Sequence, residues 1–78
     1  MSFEYKVRQQ TELGGFTILS MFIERHNEDD RIAIVRCFIP GTEENETDEI
    51  FLLVKDDGEG GFFAKKITNL TMDLLRDI

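Results

Sequence analysis

The sequence predicts an α+β domain, a five-stranded antiparallel meander followed by one C-terminal amphipathic helix. Three observations carry this reading. Glycine and acid clusters punctuate the chain into short β-like runs. The turns between those runs are short, which favours antiparallel neighbours. The apolar period lengthens to that of a helix only in the last dozen residues.

The first run, "FEYKVRQ" (3–9), alternates Phe3, Tyr5 and Val7 with Glu4, Lys6 and Arg8, the pattern of a strand with one dry face. "TELGG" supplies a turn in which Gly14 and Gly15 can adopt positive φ. "FTILSMFIERH" (16–26) is the second strand, and the polar turn "NEDD" leads to "RIAIVRCFI" (31–39). Pro40-Gly41 closes that third strand. An acidic loop then leads to "EIFLLVK" (49–55), and "DDGEGG" turns the chain into "FFAKKI" (62–67). In the tail, Ile67, Leu70, Leu74, Leu75 and Ile78 recur at helical spacing opposite Asp73, Arg76 and Asp77. A helix over about 69–77 follows, with Thr68 or Asn69 as its N-cap.

Strands two, three and four are apolar on both faces. Ile32, Ile34 and Phe38 back onto Ala33, Val35, Cys37 and Ile39, and Ile50, Leu52 and Val54 back onto Phe51 and Leu53. An antiparallel sheet normally keeps one face wet, and a helix of about ten residues is only about 15 Å long. The expectation is therefore that a second copy of the chain covers the other face, as a homodimer. The alternative is a small closed β-barrel with a C-terminal helix.

All 78 residues form one domain. A chain of this size buries only about 60–65% of its unfolded surface, so a partner would help it. Cys37 is the sole cysteine, so no internal disulfide forms and a reducing compartment is expected. The start, "MSFEYKVRQQ", is charged where a secretion signal is apolar. The uncharged run 13–23 is too short for a membrane helix. A soluble cytoplasmic protein is expected.

With 16 Asp and Glu against 9 Lys and Arg, the formal charge is −7. That repels nucleic acid and anionic lipid and attracts basic surfaces. No catalytic constellation is evident. Cys37 lies mid-strand among apolar neighbours, where a thiol acts as a small hydrophobe. Ser20 has no evident base, and "DDGEGG" lacks the lysine of a phosphate loop. The expectation is a non-enzyme without cofactor.

A dedicated metal site is not expected either. "TEENETDE" alternates acids without the mid-loop glycine of a calcium loop. His26 is the one histidine, and with Glu24 expected on its strand face it reads as a turn-flanking surface residue. Arg36 sits between Ile34 and Phe38 on one strand face. It reads either as a packed stem reaching the sheet edge or, with Phe38 and Phe51, as an interface anchor.

The arrangement of the acids is the strongest functional signal. In a meander, alternate turns lie at one end. Glu28, Asp29 and Asp30 would thus share an end with Asp56, Asp57 and Glu59, and Glu43, Glu44, Glu46, Asp48 and Glu49 would occupy the other. These residues are the expected contacts to the basic surface of a partner protein. In its sharpest form this is a mimic of nucleic acid that inhibits a nucleic-acid enzyme, as small phage-encoded proteins do, since clustered carboxylates can compete with phosphates. The alternative is an accessory module, binding a ligand or divalent cation, or an assembly subunit, that works through the apolar sheet face.

Overall fold

A computed structural model of the chain describes residues 2–69, 76 and 78. Its elements are α1 (Phe3–Arg8), β1 (Glu12–Leu13), β2 (Phe16–Thr17), β3 (Ser20–Asn27), β4 (Ile32–Pro40), β5 (Thr47–Asp56) and β6 (Phe62–Ile67). Strands β3-β4-β5-β6 form an antiparallel meander, and β1-β2 is a separate two-stranded hairpin. The sheet is open, with β3 and β6 at its edges, so neither the five-stranded meander nor the closed barrel is correct. The helix expected over about 69–77 falls largely outside the described residues.

Where a strand over 3–9 was expected, Phe3–Arg8 form a helix. Phe3 and Val7 are four apart and both buried, whereas Tyr5, which the alternating pattern puts beside them, is 48% exposed. Apolar residues at i and i+4 fit one helical face as well as one strand face, so Tyr5 alone distinguishes the two patterns. Local chemistry favours the helix. Ser2 is the N-cap and accepts a hydrogen bond from the Tyr5 backbone N–H at 3.1 Å. Glu4 lies in the first turn and Arg8 in the last, as the helix dipole prefers. The two side chains also pair at 2.8 Å. A six-residue helix is too short to stand alone and is held by packing.

The single strand expected over 16–26 is divided. Leu13 pairs with Phe16 across Gly14 (φ 58°) and Gly15 (φ 82°), a two-residue hairpin turn of the kind that needs two positive φ values. The chain breaks at Ile18–Leu19 and resumes as β3. A β-bulge between Ile23 and Arg25 leaves Glu24 unpaired in the ladder.

The core lies on one face of the large sheet. Ala33, Val35, Cys37, Ile50, Leu52 and Val54 meet Phe3 and Val7 of α1 and Leu13 of β1. Phe16, Ile18, Met21, Phe62 and Ala64 seal its margin. The helix and the small hairpin together thus form a second layer. The other face carries Phe22, Ile34, Arg36, Phe38, Phe51, Leu53 and Phe63.

Candidate functional site

The meander places the 28–31 and 57–61 turns at one end of the sheet and the 41–46 loop at the other. The two shared-end turns are stitched together. The Asp56 backbone N–H donates to the Arg31 carbonyl at 3.1 Å, and Arg31 Nη1 lies 3.6 Å from Asp56 Oδ2.

The acids at the two ends have different occupations. At the paired-turn end three of the six, Glu28, Asp56 and Asp57, are engaged in building the fold. Asp56 accepts from the Gly58 N–H at 2.7 Å, and Asp57 accepts from Glu59 and Gly61 N–H at 2.7 and 3.0 Å, which are Asx-type turns. Glu28 accepts from the Phe3 and Glu4 backbone N–H groups at 2.7 and 3.0 Å, satisfying donors that the first turn of α1 leaves orphaned. The Glu4 N–H, with the Phe3 N–H adding to it and desolvation opposing, holds the Glu28 carboxyl below its usual range. Asp29, Asp30 and Glu59 are exposed.

At the other end, Gly41 N–H donates to the Glu46 carbonyl at 2.8 Å and Glu46 N–H to the Glu43 carbonyl at 3.2 Å. Asn45 takes a left-handed φ of 66°. These backbone contacts close the loop without using its carboxylates. Glu43, Glu44, Glu46, Asp48 and Glu49 are all exposed. Among the described residues only Glu49 meets a cation, Arg36, at 3.5 Å.

Arg36 is half-buried and its charge is matched. Its Nε donates to Glu24 Oε1 at 2.9 Å, and its guanidinium carbon lies 4.6 Å from the Phe22 ring centre and 5.8 Å from that of Phe38. The Glu24 hydrogen bond raises the guanidinium pKa further, with burial opposing and the charges of Glu24 and Glu49 adding to it. Phe51 lies directly opposite Arg36 across the β4–β5 ladder. The three residues read as interface anchors therefore share one sheet face, and Phe22 beside them is 48% exposed.

Cys37 points into the core. Burial pushes its thiol up to about 11, so it remains protonated at neutral pH and is a poor nucleophile. An open cleft of about 350 Å³ separates α1 from the β5–β6 turn, lined by Tyr5, Lys6, Gln10, Asp56, Gly61 and Phe62 among others. Among the described residues, one His-carboxylate group brings its ligand atoms within 4.8 Å of one another: Glu4, His26 and Glu28. Sequence reasoning missed this grouping because it placed His26 beside Glu24. The bulge reverses that placement. Glu24 joins Arg36 on the outer face, and His26, paired with Ala33, joins the core face where α1 lies. No helix among the described residues is long and apolar enough to cross a membrane.

Comparison with protein-family models, with curated proteins and with solved structures found no match.

Proposed function

We propose that the chain is a small non-enzymatic binding protein of a reducing, cytoplasmic compartment, whose 43–49 loop presents carboxylates to a basic surface on a partner protein. The observation that carries this is the split in the acids. At the paired-turn end Glu28, Asp56 and Asp57 hold a helix end and turns, leaving Asp29, Asp30 and Glu59 exposed, whereas in the 43–49 loop Glu43, Glu44, Glu46 and Asp48 stand together, exposed and meeting no cation among the described residues. Each of these carboxylates is open to an incoming lysine or arginine. A loop closed by its own backbone needs little further ordering on binding. A partner that normally holds nucleic acid in a basic channel is the sharpest form of this reading, because the loop offers dense negative charge on a small scaffold.

The test is recovery of partners from a cell lysate on the immobilised chain, washed at about 50 and about 200 mM salt. A nucleic-acid-handling protein that is retained at low salt, lost at high salt and not retained by a Glu43→Gln/Glu44→Gln/Glu46→Gln variant supports the reading. A partner retained equally by that variant contradicts it.

A second reading is favoured by a separate observation. The outer sheet face leaves Phe22 48% and Phe63 66% exposed, which is large aromatic area for solvent to wet. In that reading the face meets another protein, a second copy of the chain included, and binding is insensitive to salt.

A further inference from the structure

Two segments distant in sequence bring one imidazole and two carboxylates to a point. Glu4 comes from α1, His26 from the end of β3 and Glu28 from the turn that follows. His26 Nε2 lies 3.5 Å from Glu4 Oε2 and 3.4 Å from Glu28 Oε2. Those separations are long for a charge-assisted hydrogen bond, which runs at about 2.7–2.9 Å. They match a different geometry. Two ligand atoms each about 2.0–2.1 Å from a zinc ion, at the tetrahedral angle, stand about 3.3–3.4 Å apart.

The groups are also oriented from behind, as the ligands of a metal usually are. Arg8 grips Glu4 Oε1 through Nε at 3.2 Å and Nη2 at 2.8 Å, which leaves Oε2 turned toward His26. The Phe3 N–H holds Glu28 Oε1 and the Glu4 N–H holds Oε2. The bulge at Glu24 is a separate, local departure from the ladder whose effect is to deliver His26 to this point. Without it, the two-residue alternation of β3 would send His26 to the opposite face, away from α1.

We propose that Glu4, His26 and Glu28 form a three-ligand site for a borderline divalent cation of the zinc class. Imidazole nitrogen with two carboxylate oxygens suits zinc, and three protein ligands leave a fourth position open to water. The bound ion ties the N-terminal helix to the β3–β4 turn, so it stabilises the fold by linkage as well as marking a site. The site is separate from the 43–49 loop and stands independently of the loop's role.

The experiment is titration of the untagged chain with Zn²⁺, followed calorimetrically and by proton NMR of His26, the sole histidine and hence a unique reporter. One saturable equivalent is expected, with displacement of the imidazole ring resonances and a rise in Tm. Co²⁺ in place of Zn²⁺ should give the visible absorption of a low-coordinate site. His26→Ala and Glu4→Gln should each weaken Zn²⁺ binding by about 10-fold or more, with the circular dichroism of the apo variants confirming that they fold. Glu4→Gln is a near-isosteric change at a half-buried helix position, so it remains a usable test if His26→Ala unfolds. The Glu43→Gln/Glu44→Gln/Glu46→Gln variant should bind Zn²⁺ like the parent. The proposal is overturned if no saturable equivalent appears, if the His26 resonances do not move, or if the loop variant and not Glu4→Gln loses the ion.

Discussion

Whether residues 3–8 form a helix or a strand can be decided by two substitutions that the alternatives treat in opposite ways. In the helix, Val7 is fully buried and Tyr5 is half-exposed at the third helical position. Val7→Ala removes two methyl groups, about 1.6 kcal/mol of transfer free energy at about 0.8 kcal/mol each, and the cavity adds to this. Alanine's better helix propensity returns about 0.5 kcal/mol. A net loss of about 1.5–2.5 kcal/mol follows, which lowers Tm by about 6–20 °C in a domain of this size. Tyr5→Gln acts differently. Glutamine three residues after Ser2 completes a capping box, and the lost contact of a half-exposed ring is modest, so the change stays within about 1 kcal/mol. In a strand, Tyr5 would share the dry face with Phe3 and Val7, and Tyr5→Gln would be the costlier substitution. Thermal denaturation followed by circular dichroism reads both. A Tyr5→Gln loss equal to or larger than that of Val7→Ala would refute the helix.

Gly14→Ala should destabilise more than Gly60→Ala. Both positions have positive φ, but a Cβ at Gly14 would meet the Ala64 carbonyl oxygen at 2.8 Å, whereas Gly60 faces open space. Chemical denaturation should show about 1 kcal/mol for Gly60→Ala and clearly more for Gly14→Ala. Cys37 should resist alkylation in the native state and react only as the chain unfolds. Because burial raises its folded pKa to about 11 from 9.0, its contribution to stability is complete below pH 9. It is then lost as pH rises toward 11, since the unfolded thiol ionises first. A denaturation series from neutral to alkaline pH, compared with Cys37→Ala, isolates that slope. Neutralising Glu43, Glu44 and Glu46 together should leave stability within about 0.5 kcal/mol, because none of these side chains holds the fold.

How much of this was legible in the sequence differs by element. The β4, β5 and β6 strands were, because short runs rich in Ile, Val and Phe are bounded by the turn signals Pro40-Gly41 and "DDGEGG" and are too short between them to read as helices. The first element was not, because Phe3 and Val7 satisfy both periods and the Ser2 cap looks unremarkable in a run read as a strand. The split of the second strand was hidden by a continuous uncharged run with only Thr17 and Ser20 among its apolar residues, although the Gly14-Gly15 pair that turns the small hairpin was visible as a turn. The location of the carboxylates at the two ends followed from meander logic alone. Their division into engaged and unpartnered groups required the hydrogen bonds of Asp56, Asp57 and Glu28. The Glu4–His26–Glu28 grouping depended on a one-residue bulge, which shifts facing without leaving a mark in the hydrophobic pattern.

The central claim is that the carboxylates of the 43–49 loop, and not the outer sheet face, form the working surface. One side-by-side retention assay tests it, with the parent chain, the Glu43→Gln/Glu44→Gln/Glu46→Gln variant and a Phe22→Ser/Phe63→Ser variant immobilised at equal density against the same lysate. The loop variant should lose the salt-sensitive partner while the face variant keeps it. Loss with the face variant and full retention by the loop variant would contradict that claim.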